Sequence, residues 1–412
     1  MQWLAAIPHQ RLGFLACMSM LYGMVMYDSY AFLSIGTIVL AANSVFNLKW
    51  KDNIQTLWQD KGLLAVTLIF LLYLFSGFFS ENLEFWLHKM RAKVPLLVLP
   101  LGFAALHFSK RKYAHLLYFF YLLVLATCFV ILGMYLVNFE AYTLRYKQGL
   151  VLPTPIHHIR FSLLVAYSVG IAIYLWQEKY TFKFSWETHL LWIGGVLLFL
   201  FQHILAVRTG LISLYIVLIY FGLRYIISSK NYKLGMALGI GSLLFVIAAF
   251  SYVPTLKNKM GYTIYNLKKY WYHQHDEQIN NYSDGKRMVS IMAGLAIGNQ
   301  HPVMGVGVGD LPDALNDFYC KNHQTFCNQK LSPHNQYVYT YAAMGWIGLL
   351  GLLIGVLTPF FYQKRFKIPL LAIISLLHLF AFLVEYPLET QIGIAFYLFF
   401  LLLPMRVINV KD

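Results

Sequence analysis

Long apolar runs, broken by charge, proline or asparagine, dominate the chain. They predict about twelve membrane-spanning helices, at roughly 12–27, 29–46, 62–80, 93–108, 114–137, 160–176, 188–206, 208–227, 235–253, 334–360, 368–385 and 389–405. A span needs about 20 mostly apolar residues to cross a bilayer, so twelve of them consume roughly 240 residues. The expected fold class is an all-α polytopic membrane protein, with one transmembrane domain over residues 1–412. Its connections are unequal. Most are shorter than about 15 residues, one of about 22 covers 138–159, and one of about 80 covers 254–333, between the ninth and tenth spans. This last loop reads as ordered. It carries Tyr262, Tyr265, Tyr270, Trp271, Tyr272 and Tyr282, a helical stretch over 285–298, a glycine turn, and a second short helix opening at Asp310 with Pro312 in its first turn. Within it, 255–272 mixes Lys257, Lys259, Lys268 and Lys269 with aromatics, as a helix lying among lipid headgroups would.

Composition agrees with the pattern. Hydrophobic residues make up 59% and charged residues 12%, against about 25% charge in soluble proteins, which excludes an ordinary soluble enzyme. The net charge of +15 comes from 32 Lys+Arg against 17 Asp+Glu. These basic residues cluster between apolar runs, so they report membrane topology rather than nucleic-acid binding. A cytoplasmic N-terminus puts 17 Lys/Arg and 5 Asp/Glu on the inner side, +12, and leaves 15 and 12, +3, outside. Both termini are therefore expected in the cytoplasm, with 254–333 in the periplasm. Residues 1–11 lead straight into the first span with no small-residue cleavage site, so that span is expected to stay. Cys17 and Cys128 fall inside spans, whereas Cys320 and Cys327 flank six residues of the long loop. In an oxidising compartment the latter two are expected to close a small disulfide loop.

An ionisable side chain at a span end is a functional candidate in a bilayer protein. Three stand out on the outer side: Arg208 opening a span, Arg287 near the start of the long-loop helix, and His334 at the start of the tenth span beside Asn335. Two guanidiniums can clamp a diphosphate bidentately, and an imidazole can accept a proton near neutral pH. Each also has a structural role open to it, as a snorkelling arginine, a solvated loop charge or a helix-end residue. Arg160, with His157 and His158, forms a second tier at the outer start of the sixth span. Gly345, Gly348 and Gly351 read as close-packing helix positions, and Gly305, Gly307 and Gly309 as a tight turn. His273, His275, Asp276 and Glu277 offer ligand types without a second group at metal-site spacing, so no metal and no other cofactor is expected. The acidic residues all fall at span ends or in loops and the halves show no repeat, which argues against a secondary transporter.

Taken together, these residues resemble the O-antigen ligase and polymerase superfamily. The matching elements are Arg208 at the outer start of a mid-chain span, Arg287 on a helix of a long loop, the His-Pro-x-x-Gly-x-Gly turn from His301 to Gly307, and His-Asn followed after nine residues by Gly-x-x-Gly, from His334 to Gly348. The last pattern is closest to the ligase branch. The resemblance implies a C-type glycosyltransferase architecture in a bacterial inner membrane, with its active site facing the periplasm. It also implies an undecaprenyl-diphosphate-linked glycan donor, the lipid A core of lipopolysaccharide as acceptor, surrounding membrane lipids, no nucleic acid, and metal-independent inverting transfer. Carried over to this chain, Arg208 and Arg287 would hold the diphosphate and His334 would activate the acceptor hydroxyl, with Arg160, His158, Asn335 and His301 as substrate-binding candidates. The rival reading is an O-antigen or other polysaccharide polymerase using the same donor. Arg287-x10-Gly298 fits a polymerase loop motif, but neither Arg145 nor Arg160 supplies a second copy.

Overall fold

A computed structural model describes residues 8–147, 151–230 and 283–408, and positions 232, 233, 235 and 241. Most of the expected ninth span, the 255–272 stretch and the group from His273 to Glu277 lie outside the described residues. In chain order the helices are α1 (His9–Val25), α2 (Tyr30–Val45), α3 (Trp50–Gln59), α4 (Lys61–Ser76), α5 (Leu83–Ala104), α6 (Lys110–Val137), α7 (Phe139–Lys147) and α8 (His158–Gln177). They continue with α9 (Glu187–Leu205), α10 (Arg208–Ser229), α11 (Ser283–Gln300), α12 (Leu311–Asn322), α13 (Gln336–Phe361), α14 (Pro369–Val384) and α15 (Gln391–Leu402). Two-residue strands, β1 (Phe108–Ser109) and β2 (Val407–Ile408), pair in parallel.

Each expected span outside 235–253 coincides with a helix, but not every such helix has the length of a span. Among the described residues, six helices are long and apolar enough to cross a bilayer: Lys61–Phe79, α6, α8, α9, α10 and Gln336–Lys367. A seventh results if α2 and α3, which meet at a 105° bend, count as one broken span. α14 and the segment Gln391–Arg406 are apolar but shorter. α3 carries exposed Trp50 and Trp58 with Lys51 at its start, the composition of a helix lying along a membrane surface. The two helices expected in the described part of the long loop are present as α11 and α12.

The largest boundary difference is at α5, which starts at Leu83 rather than at 93. Asn82 caps it by accepting from the Phe85 N–H at 3.1 Å. Asp310, at the start of α12, fixes that cap by accepting from the backbone N–H groups of Glu81 and Asn82, at 2.9 and 2.7 Å. Lys89, Arg91 and Lys93 consequently lie inside a helix, where the apolar pattern alone had placed its edge.

The chain divides into two compact units, Met1–Met20 with Ala31–Lys110 and Asn266–Asp412, and Leu21–Tyr30 with Arg111–Tyr265. In the first, α13 packs along α4 through its glycines. A methyl group at Gly351 would lie 2.3 Å from Leu72, and one at Gly355 would lie 2.4 Å from Ile69, so a larger residue at either position would force these side chains to shift. At the end of α4 expected to face the cytoplasm, Arg365 donates to both oxygens of Asp60, at 2.9 and 2.5 Å. Asp60 also caps α4 by accepting from Gly62 N–H at 2.9 Å. In the second unit α8 is the most enclosed candidate span, 78% buried over its apolar window.

Candidate functional site

α13 does not run straight. Gly345 sits at φ 61° and ψ −158°, a left-sided conformation that breaks the helix. The break leaves backbone groups without helical partners, and the 302–307 turn supplies them. Trp346 N–H donates to Pro302 O at 2.8 Å, and Val306 and Gly307 N–H donate to Ala342 and Ala343 O at 3.1 and 2.9 Å. A Cβ at Gly305 would lie 2.3 Å from the Ala343 carbonyl carbon. The His-Pro-x-x-Gly-x-Gly turn thus ties the long-loop helices to the N-terminal half of α13. Gly351 does pack closely as expected, whereas Gly345 serves the break.

This attachment brings α11 against the start of α13. Ser290 of α11 donates its hydroxyl to Arg287 O at 2.7 Å and accepts from the His334 backbone N–H at 3.3 Å. The loop after α14 arrives from the other side, and Gln336 N–H donates to Glu385 O at 3.0 Å. These contacts bring three charged or titratable side chains together. Arg287 Nη2 lies 3.5 Å from Glu385 Oε1, and His334 Nδ1 lies 3.4 Å from the same oxygen. Their side chains are 29%, 10% and 23% exposed for Arg287, Glu385 and His334, open enough for a ligand to reach. The Tyr386 ring stands 5.2 Å from that of His334.

Beneath this cluster lies a buried polar layer that sequence reasoning did not single out. Lys93 is fully buried and donates to Glu389 Oε1 at 2.7 Å and to Leu388 O. Tyr73 OH donates to the same carboxylate oxygen at 2.6 Å, and Lys89 lies 3.3 Å from Oε2. Gln336, also fully buried, accepts from Leu388 N–H at 3.0 Å and reaches Glu389 at 3.4 Å. Glu389 sits in the turn between α14 and α15. Burial alone would raise its pKa, but Lys93 and Lys89 together with the hydrogen bonds outweigh burial and hold it at about 2. Glu385 and Glu389 carry a sequence signal: two carboxylates within five residues, in a chain with 17 acidic residues, between the last two apolar runs.

The remaining expected residues distribute differently. Asn335 caps α13, accepting from Val338 N–H at 3.0 Å and donating to Leu383 O at 3.0 Å, so its side chain serves the protein's own backbone. His301 is exposed at the end of α11, its carbonyl accepting from Gly305 N–H at 2.9 Å. Cys320 and Cys327 are joined by a disulfide. Arg208, Arg160, His157 and His158 belong to the second compact unit. There, Ala206 at φ 53° makes the sharp turn between α9 and α10, leaving Arg208 exposed as the first residue of α10. Gln202 of α9 donates to Ser162 O of α8 at 3.2 Å, and a Cβ at Gly210 would lie 2.0 Å from that Gln202 amide. Arg160 and Arg208 are each two residues from this contact. An open recess of about 460 Å³, lined by Tyr27, Asp28, Tyr30, Arg145, His157 and His158 among others, lies in the same unit. Among the described residues, no group of three or more His, Cys, Asp or Glu is placed to hold a metal ion.

One family model, described as O-antigen ligase, matches residues 193–353. The match takes in Arg208, Arg287, His301, His334, Asn335 and Gly345, Gly348 and Gly351 of α13, and ends before Gly355, Glu385 and Glu389. No curated protein matches the chain.

Proposed function

We propose that this chain, whose residues 193–353 match the O-antigen ligase family model, transfers O-antigen or a related glycan from undecaprenyl diphosphate to the lipid A core of lipopolysaccharide. Transfer takes place at the periplasmic face of a bacterial inner membrane that the chain crosses about twelve times, with both termini in the cytoplasm. The reading is carried by one observation: an imidazole and a guanidinium meet at a single carboxylate oxygen, on segments expected to face the periplasm. A lipid diphosphate is already a good leaving group. The enzyme has to neutralise the charge developing on it and take the proton from the incoming hydroxyl. Arg287 meets the first need, a task that arginines fulfil without a metal ion; the family resemblance makes Arg208, in the second unit, a further diphosphate-binding candidate. His334 meets the second. Attack on the face opposite the diphosphate inverts the anomeric carbon. Arg160 contacts the diphosphate or an acceptor phosphate, and His158, which lines the recess of the second unit, binds substrate.

The lipopolysaccharide ladder of a strain lacking this chain tests the assignment. Loss of core-attached polymer with accumulation of polymer on the lipid carrier is expected. A single repeat still attached to core would instead assign a polymerase, the reading that Arg287-x10-Gly298 favours.

A further inference from the structure

Glu385 is the one member of the cluster without a role in this reaction. A single oxygen, Oε1, faces two cationic or titratable partners, Arg287 Nη2 at 3.5 Å and His334 Nδ1 at 3.4 Å. Neither is a short contact, and His334 Nδ1 is buried with no directed hydrogen bond among the described residues. The backbone on both sides is fixed, by Gln336 N–H on Glu385 O and by Asn335 Nδ2 on Leu383 O, each at 3.0 Å. Only side-chain rotation is needed to close the imidazole–carboxylate pair, and empty active sites commonly hold such bonds long until substrate tightens them.

We propose that Glu385 is a positioning residue for His334, and that an incoming diphosphate engages it by drawing Arg287 away. This rests on the reading of His334 as the base. A phosphate oxygen competes with the carboxylate for the guanidinium. Once released, the carboxylate accepts the Nδ1–H of His334, which fixes the tautomer with Nε2 unprotonated and turned to the acceptor. The acceptor hydroxyl then gives its proton to Nε2 while its oxygen bonds to the anomeric carbon. The bond from that carbon to the diphosphate breaks, and its electron pair leaves with the phosphate. Glu385 stays ionised and steadies the imidazolium. The base therefore comes into register when a donor is in place. Other titratable groups facing this pair are Tyr386, beside His334, and, one layer away, Lys89 and Glu389 around Tyr339, whose ring stacks on Tyr386.

Purified wild-type, Glu385→Gln, Glu385→Asp and His334→Ala proteins, compared per folded molecule, test this with lipid-linked glycan and lipopolysaccharide core. Glu385→Gln should lower kcat at least about 10-fold, since misorienting a catalytic imidazole is costly. Its donor KM should not rise, because an amide competes less than a carboxylate with phosphate for Arg287. Losing the carboxylate destabilises the imidazolium, so the acid limb of the kcat profile should move to lower pH. Glu385→Asp should recover part of the rate. An unchanged kcat and acid limb in Glu385→Gln, or a raised donor KM with kcat intact, overturns the positioning role while leaving the base in place if His334→Ala is inactive. Normal turnover by His334→Ala removes the base itself.

Discussion

Replacing His334 by alanine is expected to lower transfer per folded molecule by about 10²- to 10⁴-fold, the usual worth of a general base, while donor binding and abundance in the membrane stay near normal. The structure separates catalysis from folding at this position. His334 contributes its backbone N–H to Ser290, which alanine keeps, and the capping of α13 is done by Asn335. The imidazole is 23% exposed and its Nδ1 makes no directed hydrogen bond among the described residues, so its loss leaves little packing undone. A residue that merely finished the helix would give the opposite result, less protein with undiminished turnover per molecule. Quantitative transfer kinetics with a donor-binding measurement on the same preparation decide between them.

Glu389→Gln should destabilise the fold by about 3–5 kcal/mol, the usual consequence of leaving one charge of a buried pair without its partner. Lys93 has no solvent exposure and spends its ammonium on Glu389 and the Leu388 carbonyl. Glutamine retains a carbonyl oxygen for Tyr73 but not the charge. Replacing both members, Lys93→Met with Glu389→Leu, should recover much of the loss, since well-packed apolar residues often substitute for a buried pair at little net cost. Thermal unfolding in detergent should show a clearly lowered midpoint for the single variant and a largely restored one for the double. Equal midpoints for wild type and Glu389→Gln would mean that the pair does not hold α5 to the α14–α15 turn.

Much of the helix pattern was legible because apolar runs of span length leave a strong signal, and Asp310 with Pro312 announced α12 correctly. The edge of α5 was misplaced because charge was read as the end of a helix, whereas Lys93 is tolerated inside by a carboxylate 296 residues away in sequence. Pairings at that separation carry no local signature. For the same reason the meeting of His334 with Arg287 rests on resemblance, and Glu385 escapes notice: an acidic residue at a span end looks alike whether it is solvated or shared between a guanidinium and an imidazole. The turn over 302–307 was read as a tight turn. Its use, supplying hydrogen bonds to a helix broken at Gly345, required knowing where that helix breaks, and Gly345-Trp346-Ile347-Gly348 looks equally like a packing face. Asn335 shows the reverse case, where a side chain beside the expected base turns out to cap the helix that presents it.

In the proposed reaction this chain moves a glycan from a lipid diphosphate onto lipopolysaccharide core with arginines and a histidine as its chemical groups. Wild-type protein, purified, treated with chelator and reconstituted in liposomes with lipid-linked polymer and lipopolysaccharide core, measures this directly. Polymer attached to core, formed at the same rate with and without added divalent cation, is the expected result. Longer polymer on the lipid carrier with none on core, or transfer that starts only when divalent cation is restored, would contradict it.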